Sequence, residues 1–264
     1  MEPSGTSLWA LKVRERHRRW RGAALSLLAA VAVTAAYLFM RSPLFAVDHL
    51  RISGFERLTP EEIRDLAGVP AGTLIWRVTP EAVARRLESH PRIAGAVVRR
   101  AWPRGLVIEI RERRPVAVLV SGGETPRWAE VDGQGLVLAA GEGRPPELPR
   151  AVRLDGIAGG PWQPGRPVED DLLPVVRVAA ALEAAALSDP ARDLRVQAGG
   201  TLRVRLASGL EVRWGRADED AVAKVRALAA VLAQLEREPR PARYIDVTYP
   251  QRPVVGGQGS APGR

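Results

Sequence analysis

The sequence predicts an α+β protein: a single N-terminal transmembrane helix, then a small β-α-α-β-β domain, then a larger mixed β domain with helices. Three observations carry this. Nineteen uncharged residues, Gly22 to Met40, follow a cluster of arginines. Two Thr-Pro-Glu helix starts stand between short strands in residues 44–114, and alternating strands with one long amphipathic helix fill residues 115–250. At 264 residues, with 46% hydrophobic and 26% charged residues, the chain can bury two cores. It has no cysteine, which excludes disulfide frameworks, zinc ribbons and thiol chemistry.

As a helix, residues 22–40 would span roughly 28 Å, close to the thickness of a bilayer's hydrocarbon. The preceding tail, residues 1–21, carries Lys12, Arg14, Arg16, Arg18, Arg19 and Arg21 against Glu2 and Glu15. The positive-inside rule therefore keeps this tail in the cytoplasm and sends the chain from Arg41 onward across. Gly22, Leu28, Val33 and Met40 mark the membrane-spanning stretch. A cleaved signal peptide has a shorter apolar region and a small-x-small site; Phe39-Met40-Arg41-Ser42-Pro43 offers none. A buried soluble helix is the other reading, and the flanking charge counts against it. The expected location is the cell (inner) membrane, crossed once, with both domains periplasmic or extracellular. Much of the net charge of +9 sits in the tail, and Lys12 and Lys224 are the two lysines. Nucleic acid is not an expected partner.

In residues 44–114, Phe45, Val47, Leu50 and Ile52 alternate up to Gly54 and read as a strand. Thr59-Pro60-Glu61-Glu62 is a capping box with proline at the first helical position; Ile63, Leu66 and Ala67 form the apolar stripe and Gly68 ends it. Thr79-Pro80-Glu81 opens a second helix, with Val83 and Leu87 on one face, that stops before His90-Pro91. Strands Ile93 to Trp102 and Leu106 to Arg111 flank the turn Pro103-Arg104-Gly105. Trp76 and Trp102 read as packing aromatics.

Residues 115–250 change to short strands and glycine turns: Val116 to Val120, Trp128 to Asp132 and Leu136 to Leu138. A polar, proline-rich loop, 141–149, follows. A helix from Asp170 or Asp171 tolerates Pro174 in its first turn and presents Leu172, Val175, Ala179 and Leu182. Leu194 and Val196, Leu202 to Leu206, and Leu210 to Trp214 alternate with arginines as half-exposed strands do. The helix Asp218 to Glu236 carries Val222, Val225, Leu228, Leu232 and Leu235 at helical spacing, behind the acids Asp218, Glu219 and Asp220. Tyr244 to Tyr249 is the expected last strand, and residues 251–264 an expected flexible tail.

Phe45-Ala46-Val47 with Gly54, the loop Gly68 to Val78, His90-Pro91-Arg92-Ile93, Arg99 to Pro103 and Glu112 to Ala117, in that order behind a basic anchor, resemble the FtsQ/DivIB family of bacterial cell-division proteins. The resemblance covers the anchor and continues to about residue 250. It implies a POTRA domain over 44–114, an FtsQ-type β domain over 115–250, and a place at the division septum. It further implies a noncatalytic scaffold of the divisome that links early and late division proteins and controls septal wall synthesis through protein contacts. FtsB and FtsL are the implied partners of the C-terminal sheet. Ile245, Asp246, Val247 and Tyr249 match the family pattern; Thr248 stands where the family usually has arginine. A last strand followed by a loose tail is a candidate sheet edge, so a partner segment can add as a further strand. Tyr244, Ile245, Asp246, Val247, Thr248 and Tyr249 are therefore the candidate partner-binding residues. An outer-membrane assembly component is disfavoured, because the chain has neither a POTRA series nor a β-barrel sequence.

Catalysis finds little support in the sequence. His17, His49 and His90 assemble no metal set, and Ser121, Ser188 and Ser208 lie in no nucleophile elbow. The pairs Asp170-Asp171 and Glu219-Asp220 fall at helix starts, where the macrodipole accounts for them. No phosphate or dinucleotide loop is present. No cofactor and no small-molecule substrate are expected. The alternative, an anchored envelope hydrolase acting on wall polymers, would need a cleft with two facing carboxylates.

Overall fold

The computed structural model of the chain describes residues 25–122, 125–148, 151–157, 159–218 and 220–257. The basic tail 1–21, Gly22, Glu219 and residues 258–264 lie outside them. Residues 25–40 form helix α1, with Leu28, Val33 and Met40 exposed on it. Among the described residues no helix is long and apolar enough to cross a membrane; 25–40 as a helix extends about 24 Å.

Pro43 fixes its own φ and begins a 3-10 turn, Pro43–Phe45. The first strand accordingly starts later than the alternation of Phe45 and Val47 predicts. The elements that follow are β1 (His49–Ser53), α2 (Pro60–Ala67), a 3-10 turn (Ile75–Arg77), α3 (Pro80–Glu88), β2 (Ile93–Ala101) and β3 (Gly105–Glu112). This is the expected β-α-α-β-β order. The capping box of α2 is formed: Glu62 N–H donates to Thr59 Oγ1 at 3.2 Å, and Thr59 N–H to the Glu62 carboxylate at 2.8 Å. The sheet order is β1-β3-β2, with β1 parallel to β3 and His49 opposite Gly105.

The chain packs as two compact units. The first runs to Ser53 and adds Leu58–Arg85 and Val97–Glu109; the second contains Gly54–Arg57, Arg86–Ala96 and everything from Ile110. In the first, Ile63, Ala67, Ile75, Leu106 and Ile108 are fully buried. Trp102 is not the packing aromatic its type suggests, because it caps a hairpin turn and is 60% exposed.

The second unit continues with β4 (Ala117–Ser121), β5 (Arg127–Val131), β6 (Val137–Glu142), β7 (Val152–Ile157), α4 (Leu173–Ala184), β8 (Ala191–Val196), β9 (Thr201–Leu206), β10 (Glu211–Arg216), α5 (Ala221–Arg237), β11 (Tyr244–Asp246) and β12 (Val254–Gly256). Their nine strands form one sheet in the order β12-β11-β10-β9-β8-β7-β4-β5-β6. One core joins Leu119, Leu154, Leu194, Val204, Val212, Trp214 and Ile245 of the strands to Val176, Leu182, Leu228 and Leu232 of the helices. The expected face of α5 needs one change. Val222, in its first turn, is exposed, while Lys224 is buried and donates from Nζ to the Asp218 carboxylate at 2.8 and 2.9 Å.

Candidate partner-docking edge

Helix α5 stops at Arg237, ahead of Pro239 and Pro241, which lack the N–H a helix needs. Arg243 N–H then donates to the Gly256 carbonyl at 2.8 Å and opens a short pairing. Strand β11 runs parallel to β10, with Tyr244, Ile245 and Asp246 opposite Glu211, Val212 and Arg213. On its other side lies β12, antiparallel, with Gly256, Val255 and Val254 opposite the same three residues.

This corrects two expectations. The segment Tyr244–Tyr249 is not the sheet's last strand, because β12 covers its outer side; and the stretch beginning at Gln251 is not wholly a flexible tail, because it supplies β12. The edge of the sheet on this side is Val254–Gly256, where alternate backbone groups point away from β11.

The six sequence-predicted residues separate by role. Ile245 and Val247 point into the core, and Val247 N–H donates to the Arg213 carbonyl at 2.9 Å. Asp246 shapes the turn after the strand, its Oδ1 accepting from Thr248 N–H at 2.9 Å. Thr248 packs at Gly215, where φ is 80° and an added Cβ would lie 3.0 Å from Thr248 Cγ2. A small β-branched side chain suits that crowded place. Tyr244 holds the frame: the Arg213 guanidinium lies 3.8 Å from its ring centroid, and a Cβ on Gly256 would lie 2.1 Å from its Cε1. Tyr249 is free of the core at 74% exposure, as is Val254 at 54%.

Sequence reasoning missed Val254, Val255 and Gly256. Two adjacent β-branched residues after Pro253 were the available signal, obscured by the proline and glycine around them. The face beside this edge carries both signs of charge: Glu211, Arg205, Asp193 and Arg153 occupy opposed positions across β10, β9, β8 and β7, and Arg203 is paired with Glu211. Arg213, Arg203 and Arg195 occupy directly opposed positions on β10, β9 and β8, bounded by Asp246 and Asp155. Like charges in such a row repel one another; Glu211 offsets part of that at Arg203, and an acidic segment laid across the row would offset more.

Among the described residues no group of three or more His, Asp or Glu could hold a metal ion. A cleft of about 500 Å³ between the 144–148 loop and strands β7 and β8 contains Glu147 and Asp193, together with Arg144, Arg153 and Arg192. Glu147 is paired with Arg144 at 2.7 Å.

Comparison with known proteins gives two consecutive family matches. Residues 45–113 match the POTRA domain, FtsQ-type, and residues 122–248 the C-terminal region of cell division protein FtsQ/DivIB. The second match ends before β12. The chain is similar to the cell division protein FtsQ of Streptomyces collinus, 32% identical over 250 residues that cover 90% of this chain and 91% of the relative. The FtsQ of Streptomyces griseus is 34% identical, covering 79% of this chain and 96% of the relative. That of Anaeromyxobacter sp. (strain K) is 31% identical, covering 91% and 82%.

Proposed function

Because the chain belongs to the FtsQ/DivIB family of bacterial cell-division proteins, we propose that it is a noncatalytic scaffold of the divisome whose C-terminal sheet recruits a partner by strand addition. Residues 22–40 anchor it in the cell membrane, with the tail 1–21 cytoplasmic and both domains on the far side at the septum. FtsB and FtsL are the proposed partners.

The observation that carries the docking reading is the three-residue strand β12 at the end of a nine-stranded sheet, beside exposed Tyr249 and Val254. Main-chain bonds to β12 would provide affinity, and pockets for Tyr249 and Val254 would select the partner. The residues first expected to bind, Tyr244 to Thr248, act through the support they give β12.

The test is binding of the full chain, in detergent, to the exported segments of FtsB and FtsL, comparing Val254→Pro with Val255→Pro. Successive N–H groups of a strand point to opposite sides, so one proline removes a bond to β11 and the other a bond to the partner. Loss of binding in one variant whose melting is unchanged supports strand addition. Unchanged binding in both, or no binding by the parent chain, rejects it.

A further inference from the structure

We infer that the end of the first unit nearest helix α1 is seated on the lipid headgroups, with Trp102 as the inserted side chain. The inference rests on the proposed anchor.

Helix α1 ends in Tyr37, Leu38, Phe39 and Met40, all exposed. Arg41 follows; its guanidinium lies 5.3 Å from the Tyr37 ring centroid and donates to the Tyr37 hydroxyl at 2.9 Å. Tyrosine and arginine at the end of an apolar helix suit the boundary between acyl chains and headgroups, where an amphipathic ring and a long cationic side chain are both satisfied. The helix end is then tied to its unit by rings. Phe39 meets Phe45 edge-on at 5.3 Å, and Phe45 meets Trp76 at 5.1 Å.

The hairpin turn between β2 and β3 lies at the same end. Asp48 N–H donates to the Arg104 carbonyl at 3.2 Å, and His49 faces Gly105. Val47 N–H donates to the Thr73 carbonyl at 2.8 Å, which brings the loop before Trp76 there as well. This end therefore displays Trp102 and Leu44, 60% and 55% exposed, among Arg41, Arg77 and Arg104. The nearby carboxylate of Asp48 is paired with Arg104. An indole held out at a turn, with arginines around it and acid neutralised, matches the headgroup layer in polarity and charge. A bilayer is favoured over a protein as occupant because the apolar helix enters at this end of the sheet.

The test uses the full chain in phospholipid vesicles containing anionic lipid. The parent has no cysteine, so Ala101→Cys carries an environment-sensitive fluorophore next to Trp102; chains labelled through Val33→Cys and Ser53→Cys are its comparators. Lipids spin-labelled near the headgroup or deep in the acyl chain serve as quenchers. The label at 101 should be blue-shifted and quenched by the shallow lipid, and Trp102→Glu in the same chain should abolish both effects. The label at 33 should be quenched by the deep lipid, and the label at 53, at the other end of β1, by neither. If the label at 33 is in hydrocarbon while that at 101 emits as in water, the inference fails and the anchor stands. If the label at 33 emits as in water, both fail. A blue shift at 101 without quenching by either lipid assigns Trp102 to a protein contact and overturns the inference.

Discussion

Replacing Glu130 by alanine should destabilise the second unit by about 3 kcal/mol, because it breaks an ion triad centred on a buried carboxylate rather than a surface pair. Glu130 lies on β5 and is 2% exposed. Its carboxylate accepts from both terminal nitrogens of Arg57, at 3.0 and 3.3 Å, and from Arg92 Nη2 at 2.8 Å. Arg92 Nη1 is buried and already lacks a hydrogen-bond partner, so removing the carboxylate leaves a half-buried guanidinium without its counter-charge. Removing one partner of such a pair costs about 3–5 kcal/mol. The lower end applies here because the Arg57 side chain is 37% exposed and can rehydrate, whereas that of Arg92 is 16% exposed. Glu130→Gln keeps an acceptor oxygen and should cost about half as much. For a unit of this size about 3 kcal/mol corresponds to a fall in Tm of roughly 6–12 °C. Urea and thermal unfolding of the full chain in detergent would measure it, with an unchanged m-value assigning the effect to stability. The double variant Glu130→Leu with Arg92→Met should recover most of the loss, since an apolar replacement of a buried pair is often neutral. A Glu130→Ala chain within about 0.5 kcal/mol of the parent would refute the reasoning, because the triad would then be no more than an exposed pair.

Three further outcomes follow from the same geometry. Gly54→Ala should cost at least about 2 kcal/mol in urea unfolding, because φ is 83° and the new Cβ would lie 2.0 Å from the Ile110 carbonyl oxygen. Gly256→Ala should displace the Tyr244 ring from β12 and disturb its stacking on Arg213, weakening partner binding by about tenfold in calorimetric titration while melting changes little. Lys224→Met should stay within about 1 kcal/mol of the parent in the same unfolding assay, since its stem volume is kept and the Asp218 side chain, 44% exposed, rehydrates; Lys224→Ala should cost about 2–3 kcal/mol through the cavity it leaves.

How far the sequence revealed the fold depends on whether the determining interaction is local. Thr59 and Glu62 are three residues apart and satisfy each other's backbone groups, so the start of α2 was legible. So was the pairing of apolar residues on β9 and β10, where period-two alternation is the physical consequence of one buried face. Glu130 was not legible as a buried charge, because its partners Arg57 and Arg92 are brought to it by tertiary packing. The burial of Lys224 was not legible for a related reason: Asp218 reads as a helix-start acid, and its turn back to meet a buried ammonium shows only in three dimensions. The place of β11 in the sheet was hidden for the same reason. Tyr244–Tyr249 has every local mark of a last strand, but whether Val254 and Val255 return beside it depends on the turn set by Asp246 and on the absence of a side chain at Gly256.

On the proposed docking, that return changes how a partner would be recognised. A three-residue edge strand offers few outward main-chain groups, and Arg252 and Pro253 immediately before it discourage indiscriminate pairing, as charge and proline do on sheet edges generally. Strand addition at β12 alone would therefore bind weakly. On this proposal affinity would come from what surrounds the edge: apolar contact at Tyr249 and Val254, and acidic side chains placed over Arg213, Arg203 and Arg195. Those two contributions respond differently to salt. Raising ionic strength screens the arginine row, mainly slowing association, while leaving the apolar contacts intact. Partner binding should accordingly lose on-rate with salt in the parent chain, and Arg195→Gln with Arg203→Gln should remove most of that dependence while binding through β12 persists. Salt dependence undiminished in that double variant would place the acidic contact elsewhere on the protein.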